Sequence, residues 1–220
     1  MVKYTDSNGS TAIIQVQVNR LLEMGAFDIR DRHFEGEHTE HCIIDPKSGE
    51  PITPNSAKHL VMSLSTELTI LRRNHESDDE MAPSPASVIS AEDLLKIAAI
   101  FKRDSRFFRN PFLFSPLKKC ATSCGYDALV SVIRLDEITA HVTRFEYRAE
   151  HPNHEDLRVS TANRDEARLK KEEALRELNS EIDMLELDPT DLDLLDVRDI
   201  ARSRIEAMLE NLTPGLPLST

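Results

Sequence analysis

The side chains best suited to chemistry gather in one short stretch, His33-Phe34-Glu35-Gly36-Glu37-His38-Thr39-Glu40-His41-Cys42-Ile43-Ile44-Asp45. Imidazole, thiolate and carboxylate are the groups that hold zinc or a similar cation, and His38 and His41 would project together from a turn of helix. His33, His38, His41 and Cys42 are therefore the candidate metal ligands, zinc is the candidate ion, and a metal-dependent enzyme is the function such a centre would support. The spacing lacks the His-Glu-x-x-His order of a metalloprotease, and Cys42 has no second cysteine nearby. A solvated acidic loop before a hairpin accounts for the same residues without a ligand.

Cys120 and Cys124 offer a second pair of sulfurs. Leu117, Cys120, Ala121 and Cys124 also form the apolar side of one short helix, and an unpaired cysteine packs as a small hydrophobe. Core packing is the simpler reading. Three cysteines in 220 residues make no disulfide framework, so a reducing compartment is expected.

The third stretch is 101–119, which holds five of the eight phenylalanines together with Lys102, Arg103, Arg106, Arg109, Lys118 and Lys119 against one acid, Asp104. Cations neutralise phosphates and aromatic faces stack on unpaired bases, so this composition suits a single-stranded nucleic acid. It equally suits an acidic protein partner, including the acidic C-terminal hairpin of a second copy. Lys102, Arg103, Arg106, Phe107, Phe108, Arg109, Phe112, Lys118 and Lys119 are the candidate binding residues in either case. A third reading buries the rings in a core edged by the cations. No Gly-rich phosphate loop or Gly-x-Ser-x-Gly elbow occurs in a chain with only six glycines.

These groups must be positioned by helices. Residues 11–27 read as a helix stopped at Gly25, although Ile14, Val16 and Val18 also alternate as a strand would. Asp45-Pro46 and Ser48-Gly49 are turn chemistry with extended flanks, which predicts a small hairpin over 42–53. Thr53 and Pro54 then open an amphipathic helix through Ala57, Val61, Leu64, Leu68 and Leu71, ending near Asn74. Residues 75–89 mix acid, serine and proline and read as a linker, with Ser77 and Ser84 in contexts that suit kinases. Ser90 with Asp93 caps a further helix whose body is apolar almost all round, and Ser115-Pro116 starts a short helix closed by Gly125. Residues 127–149 read as a helix, with a second hairpin over 138–161 as the alternative.

The C-terminal third, 160–213, predicts two helices folded back on each other across Asp188-Pro189-Thr190. Their apolar stripes are narrow: Leu175, Leu178, Ile182 and Leu185 on the first, Val197, Ala201, Ile205, Met208 and Leu212 on the second. Two such helices bury little alone, so the stripes need a third surface, either the central unit or another chain, and these nine residues are the candidate self-association set.

Composition bounds the rest. A formal net charge of −12, with acid concentrated toward the C-terminus, argues against coating nucleic acid with most of the surface. No run approaches the ~18 apolar residues of a membrane helix, and the start lacks a secretory signal, so a soluble intracellular protein, cytoplasmic or nuclear, with no membrane partner is expected. The sequence therefore predicts a mainly α, multi-helix fold with a small β-hairpin near the N-terminus and a C-terminal helical hairpin. It is divided as 1–74, a 75–89 linker, a Phe-rich unit over 90–150, the hairpin at 160–213 and a tail from 214 to 220. The expected function is a non-enzymatic, self-associating interaction or assembly protein that needs no cofactor, with nucleic-acid binding through 101–119 as the alternative.

Overall fold

The computed structural model describes residues 7–34, 38–77, 82–152 and 161–212. The fold is mainly helical with a two-stranded antiparallel hairpin near the N-terminus, as the sequence predicts. The chain divides into two compact units, Met1–Glu137 and Ile138–Thr220. The expected N-terminal unit and residues 90–137 of the expected central unit share the first, whereas 138–150, expected with the central unit, fall in the second with the residues of the C-terminal helical hairpin. Among the described residues, no helix is long and apolar enough to cross a membrane.

In the first unit, α1 (Ser7–Glu23) buries Ile14, Gln17, Val18 and Leu21 at helical spacing, whereas Val16 is half exposed. The strand-like alternation there is a by-product of helix positions on two faces. A 3-10 turn at Met24–Ala26 ends the element. Strands β1 (Asp28–Phe34) and β2 (His38–Ile44) then pair from Asp28 opposite Ile44 to Phe34 opposite His38.

The paired strands therefore precede the 42–53 segment where the sequence places the hairpin. Strand β1 sets charge beside charge (Asp28, Arg30, Asp31, Arg32), so no apolar period marks it. The predicted turn does form: Gly49 N–H donates to the Asp45 carbonyl at 2.8 Å and Asp45 N–H to that of Glu50 at 3.0 Å. Its return leg makes a single bridge, Ile44 to Pro51, because Pro51 has no N–H to extend a ladder and Pro54 begins the next helix.

Helix α2 (Pro54–Glu76) starts as predicted, with the Thr53 hydroxyl accepting from Ser56 N–H at 3.4 Å, and buries Ala57, Val61, Leu64, Leu68 and Leu71. From Ala82 onward the stretch read as a linker packs: Ala82, Pro85 and Ile89 are buried, and the Tyr126 hydroxyl donates to the Ile89 carbonyl at 2.9 Å. The acidic part of that stretch, 78–81, lies outside the described residues.

Ser90 caps α3 (Ala91–Arg103) by accepting from Asp93 N–H at 3.1 Å, and Leu94, Ile97, Ala98, Ile100 and Phe101 are buried. A Cβ on Gly25 would meet Ile100 at 3.0 Å, so glycine lets the turn after α1 lie against α3. One turn of helix, α4 (Ser105–Phe108), leads to α5 (Phe114–Cys124), which Gly125 ends at φ 72°. Phe101, Phe107 and Phe114 are fully buried, with ring centroids 5.9 and 6.0 Å from Phe101 in edge-to-face packing. Each such ring contributes about 1.5–3 kcal/mol by burial, which makes them the centre of this core.

Helix α6 (Asp127–Glu150) confirms the helical reading of 127–149 and leaves no strand at 138–150. The rest of the alternative hairpin, 153–160, lies outside the described residues. Leu129, Ile133 and Leu135 of α6 are buried in the first unit. In the second unit, α7 (Thr161–Asp183) and α8 (Leu192–Leu212) form the predicted hairpin. Its core is Leu175, Leu178, Ile182, Ala201 and Ile205 together with Ile138 and Val142 of α6. The third surface that the narrow stripes require is thus the second half of α6 in the same chain. Arg204 of α8 reinforces it with bonds to Glu146 and to the Thr143 hydroxyl, the latter at 3.1 Å.

Candidate functional site

The antiparallel register decides the fate of the metal candidates. Side chains alternate across a strand and share a face with their cross-strand partner. His33, opposite Thr39, and His41, opposite Asp31, therefore lie on one face, while His38, opposite Phe34, and Cys42, opposite Arg30, lie on the other. His41 Nδ1 sits 3.1 Å from Asp31 Oδ1, and His33 Nδ1 lies 2.8 Å from the Thr39 hydroxyl. Cys42 is buried, and that burial pushes its thiol up to about 11. Among the described residues, no three of His, Cys, Asp and Glu converge as a metal would require. The helical turn that would have joined His38 and His41 is extended strand instead. Residues 35–37 of the stretch lie outside the described residues.

Segment 101–119 is mostly engaged within its own unit. Asp104 is fully buried: one carboxylate oxygen accepts the Ile43 N–H at 2.6 Å, and both accept from Arg106. Arg106 also donates to the Ile52 carbonyl at 2.6 Å. Arg109 pairs with Glu40, itself nearly buried on β2 and 4.0 Å from Arg106. Ser105 Oγ accepts the His41 N–H and donates to its carbonyl at 3.1 and 3.0 Å. The junction of α3 and α4 thereby clamps β2 with alternating charges.

The other cations follow the same pattern. Arg103 donates to the Gly25 carbonyl at 2.7 Å, Lys102 bonds Asp136 at 2.9 Å and Lys118 bonds Glu137 at 3.2 Å. Asp136 is buried with one oxygen unpartnered, and desolvation raises its pKa above the ordinary carboxylate value. Of the phenylalanines, Phe107 is core, and half-buried Phe108 packs in a T-shaped contact with Phe114 at 6.3 Å. The internal acids are remote in sequence. Glu40, Asp136 and Glu137 lie outside 101–119, so a local count of charge could not see that they neutralise it.

What remains at the surface is a narrower patch on α2 and α5. Lys119 is exposed with no acidic partner among the described residues, and it borders two adjoining hollows. The first is lined by Lys58, Met62, Thr66, Phe112 and Pro116, with the Lys58 ammonium 5.4 Å from the centroid of the Phe112 ring. Phe112 and Met62 are 53% and 48% exposed, values that put two large apolar side chains in water between two cations. The second hollow is lined by Thr69, Arg72, Arg73, Glu76, Thr122 and Ser123. Arg72 pairs with Glu76, the one carboxylate in either lining, and also donates to the Thr122 carbonyl at 2.9 Å.

Sequence reasoning named Phe112 and Lys119 but missed Lys58, Met62 and Arg73. The helical repeat from Lys58 through Met62 to Thr69 and Arg73 carries the signal, on the flank of the buried stripe of α2 that faces α5. A separate groove between α1 and α2, lined by Ile13, Val16 and Leu60, exposes Ile13 and Val16 by about half. Buried Gln17 borders it, donating to the Ser63 hydroxyl at 2.7 Å while its own oxygen lacks a partner.

Of the self-association set, Leu175, Leu178, Ile182, Ala201 and Ile205 are buried inside their unit. Leu185, Met208 and Leu212 pack partly against that core, and Val197 is exposed. Val197 lies instead on an outer face of α8 with Asp193, Asp196 and Ile200, all exposed, Ile200 to 58%. Compared with known protein families, with curated proteins and with solved structures, the chain matches none.

Proposed function

We propose that the protein is a non-enzymatic interaction module whose basic-apolar patch on α2 and α5 receives an acidic protein segment bearing aliphatic side chains. The observation that carries this reading is the patch itself: Lys58 and Lys119 flank exposed Met62 and Phe112, and Arg73 lines the adjoining hollow, in a chain of net charge −12. Exposed apolar side chains rimmed by one sign of charge favour a partner with apolar anchors and the opposite charge. Nucleic-acid binding through 101–119 is the weaker reading. Its cations Lys102, Arg103, Arg106, Arg109 and Lys118 already bond internal partners, and each would have to be released to meet a phosphate.

The test uses the full chain and a labelled amphipathic peptide built of Glu, Ala and Leu, followed by fluorescence anisotropy. Binding that weakens tenfold or more in K58E/K119E, and is unaffected by K96E on α3, supports the reading. Absence of peptide binding, or a preference for single-stranded RNA lost in K58E/K119E, overturns it. Reversing Arg103, Arg106 and Arg109 makes a poor test of either reading, because it removes the clamps on Gly25, Asp104 and Glu40 and so reports folding.

A further inference from the structure

We infer that the acidic segment received by this patch is the outer face of α8 in a second copy of the chain, so that copies join head to tail. This rests on the reading above and names its partner. Asp193, Asp196, Val197 and Ile200 follow one another at helical spacing, which places two carboxylates and two apolar side chains on one exposed side of α8. These four residues are exposed, while the core of their unit takes Ala201 and Ile205 from the same helix; one turn on, Arg204 on the same side bonds Glu146 and Thr143 of α6 and ends the acidic face. Exposed apolar residues between charges are what the α2 and α5 patch also offers, with the opposite sign.

Lengths agree as well as charges. Lys58 to Thr66 on α2, which line the hollow around Met62 and Phe112, and Asp193 to Ile200 on α8 each run for about two turns of helix. A helix laid along the hollows would bring Val197 and Ile200 onto Met62 and Phe112 while Asp193 and Asp196 meet Lys58 and Lys119. This is the helix-in-groove mode, in which apolar anchors give affinity and the rim gives register. Each copy carries both surfaces and they differ from one another, so the contact is heterologous and continues from copy to copy, as an open chain or a closed ring. The pairing is made of exposed charges and therefore weakens with salt.

Sedimentation velocity on the full chain at low salt tests it. The mass should rise with concentration past that of a dimer and fall back on adding salt. K58E/K119E and D196K/I200K should each sediment as a monomer while keeping the wild-type circular dichroism and melting temperature. Mixed together, the two variants should form a one-to-one dimer and nothing larger, since one retains only the donor face and the other only the acceptor. A mass that stays monomeric at every concentration, or self-association that survives in either variant, overturns the inference. If the chain is monomeric yet binds the acidic peptide at Lys58 and Lys119, the partner is another protein and the broader reading stands. If the peptide also fails to bind, both fall.

Discussion

Asp104 Oδ2 accepts the main-chain N–H of Ile43 at 2.6 Å, although the two residues lie 61 positions apart in sequence. The same carboxylate is fully buried and held by Arg106, so removing it deprives both a main-chain donor and a guanidinium of this acceptor. D104A should cost about 3 kcal/mol or more of stability. D104N, which keeps an oxygen for Ile43 but loses the charge, should fall between the alanine variant and the wild type. Urea denaturation measures both; a midpoint unchanged in D104A would mean that the clamp is not holding β2.

The thiols should be sluggish in the folded chain. Burial pushes Cys42 and Cys124 up to about 11, and Cys120, buried deepest, further in the same direction. Only the thiolate attacks, so alkylation by iodoacetamide at pH 8 should run about a hundredfold slower than at an ordinary thiol, and rise with pH until beyond pH 10. Mass spectrometry should find half-buried Cys124 labelled first and all three labelled at once in urea. Rapid labelling of Cys42 in native buffer would contradict its place on β2.

Asp136 gives a pH signature of defined sign. Desolvation raises its folded pKa, so the folded chain holds that proton to higher pH than the unfolded chain does. Its contribution to stability is full below the unfolded value, about 3.9, and is lost as pH rises through the raised folded value. Asparagine in its place removes that loss and costs only a bond to Lys102, a side chain 44% exposed that water can solvate instead. D136N should therefore gain on the wild type between pH 4 and pH 7, ending as stable or up to about 1 kcal/mol more so. Equal gaps at the two pH values would show that the carboxyl titrates normally.

Within the second unit, depth predicts cost. Truncating Ile182 or Ile205 to alanine opens a cavity in a core of few residues and should cost about 2–5 kcal/mol. Val197 and Ile200 lie on the exposed side of α8. V197A and I200A should each leave stability nearly unchanged, as surface substitutions away from such cores do. Thermal melts followed by circular dichroism separate the two classes, and a large loss from I200A would mean that this face is already covered in the monomer.

Zinc should leave the protein unmoved. With His33 and His41 on one face of the hairpin and His38 and Cys42 on the other, no further ligand of the set joins the first pair. Titration with zinc, watched by calorimetry on tag-free protein, should give no stoichiometric binding and no rise in melting temperature. A one-to-one isotherm lost in H38A and C42A together would restore a metal centre to the hairpin.

The elements that can be read directly are those whose ends carry local chemistry. Thr53-Pro54, Ser90 with Asp93, and Gly125 each satisfy or terminate a helix within a few residues, so α2, α3 and α5 are visible without any tertiary knowledge. The hairpin is displaced from its expected place because no residue of β1 is fully buried and charge alone marks the strand. The candidate site misleads for a related reason. Segment 101–119 looks basic along the chain, but its neutralising acids come from β2 and α6, and pairing across such separations leaves no local trace. The apolar stripes of α7 and α8 are, as their sequence indicates, too thin for each other, and α6 supplies what they lack.

The bonds that fasten Asp104 and Ser105 to β2 also settle how the hairpin behaves toward stray strands. His41 commits its N–H and carbonyl to the Ser105 hydroxyl, while Ile43 gives its N–H to Asp104 and its carbonyl to the Ile52 N–H. The outer edge of the sheet is therefore sealed beside Cys42-Ile43-Ile44, a run with strong β propensity, and the opposite edge carries the charges of β1. A two-stranded ribbon closed on one side by side chains and guarded on the other offers no template for cross-β growth. Loss of Ser105 or Asp104 should therefore leave backbone groups of His41 or Ile43 free to pair with a strand of another molecule.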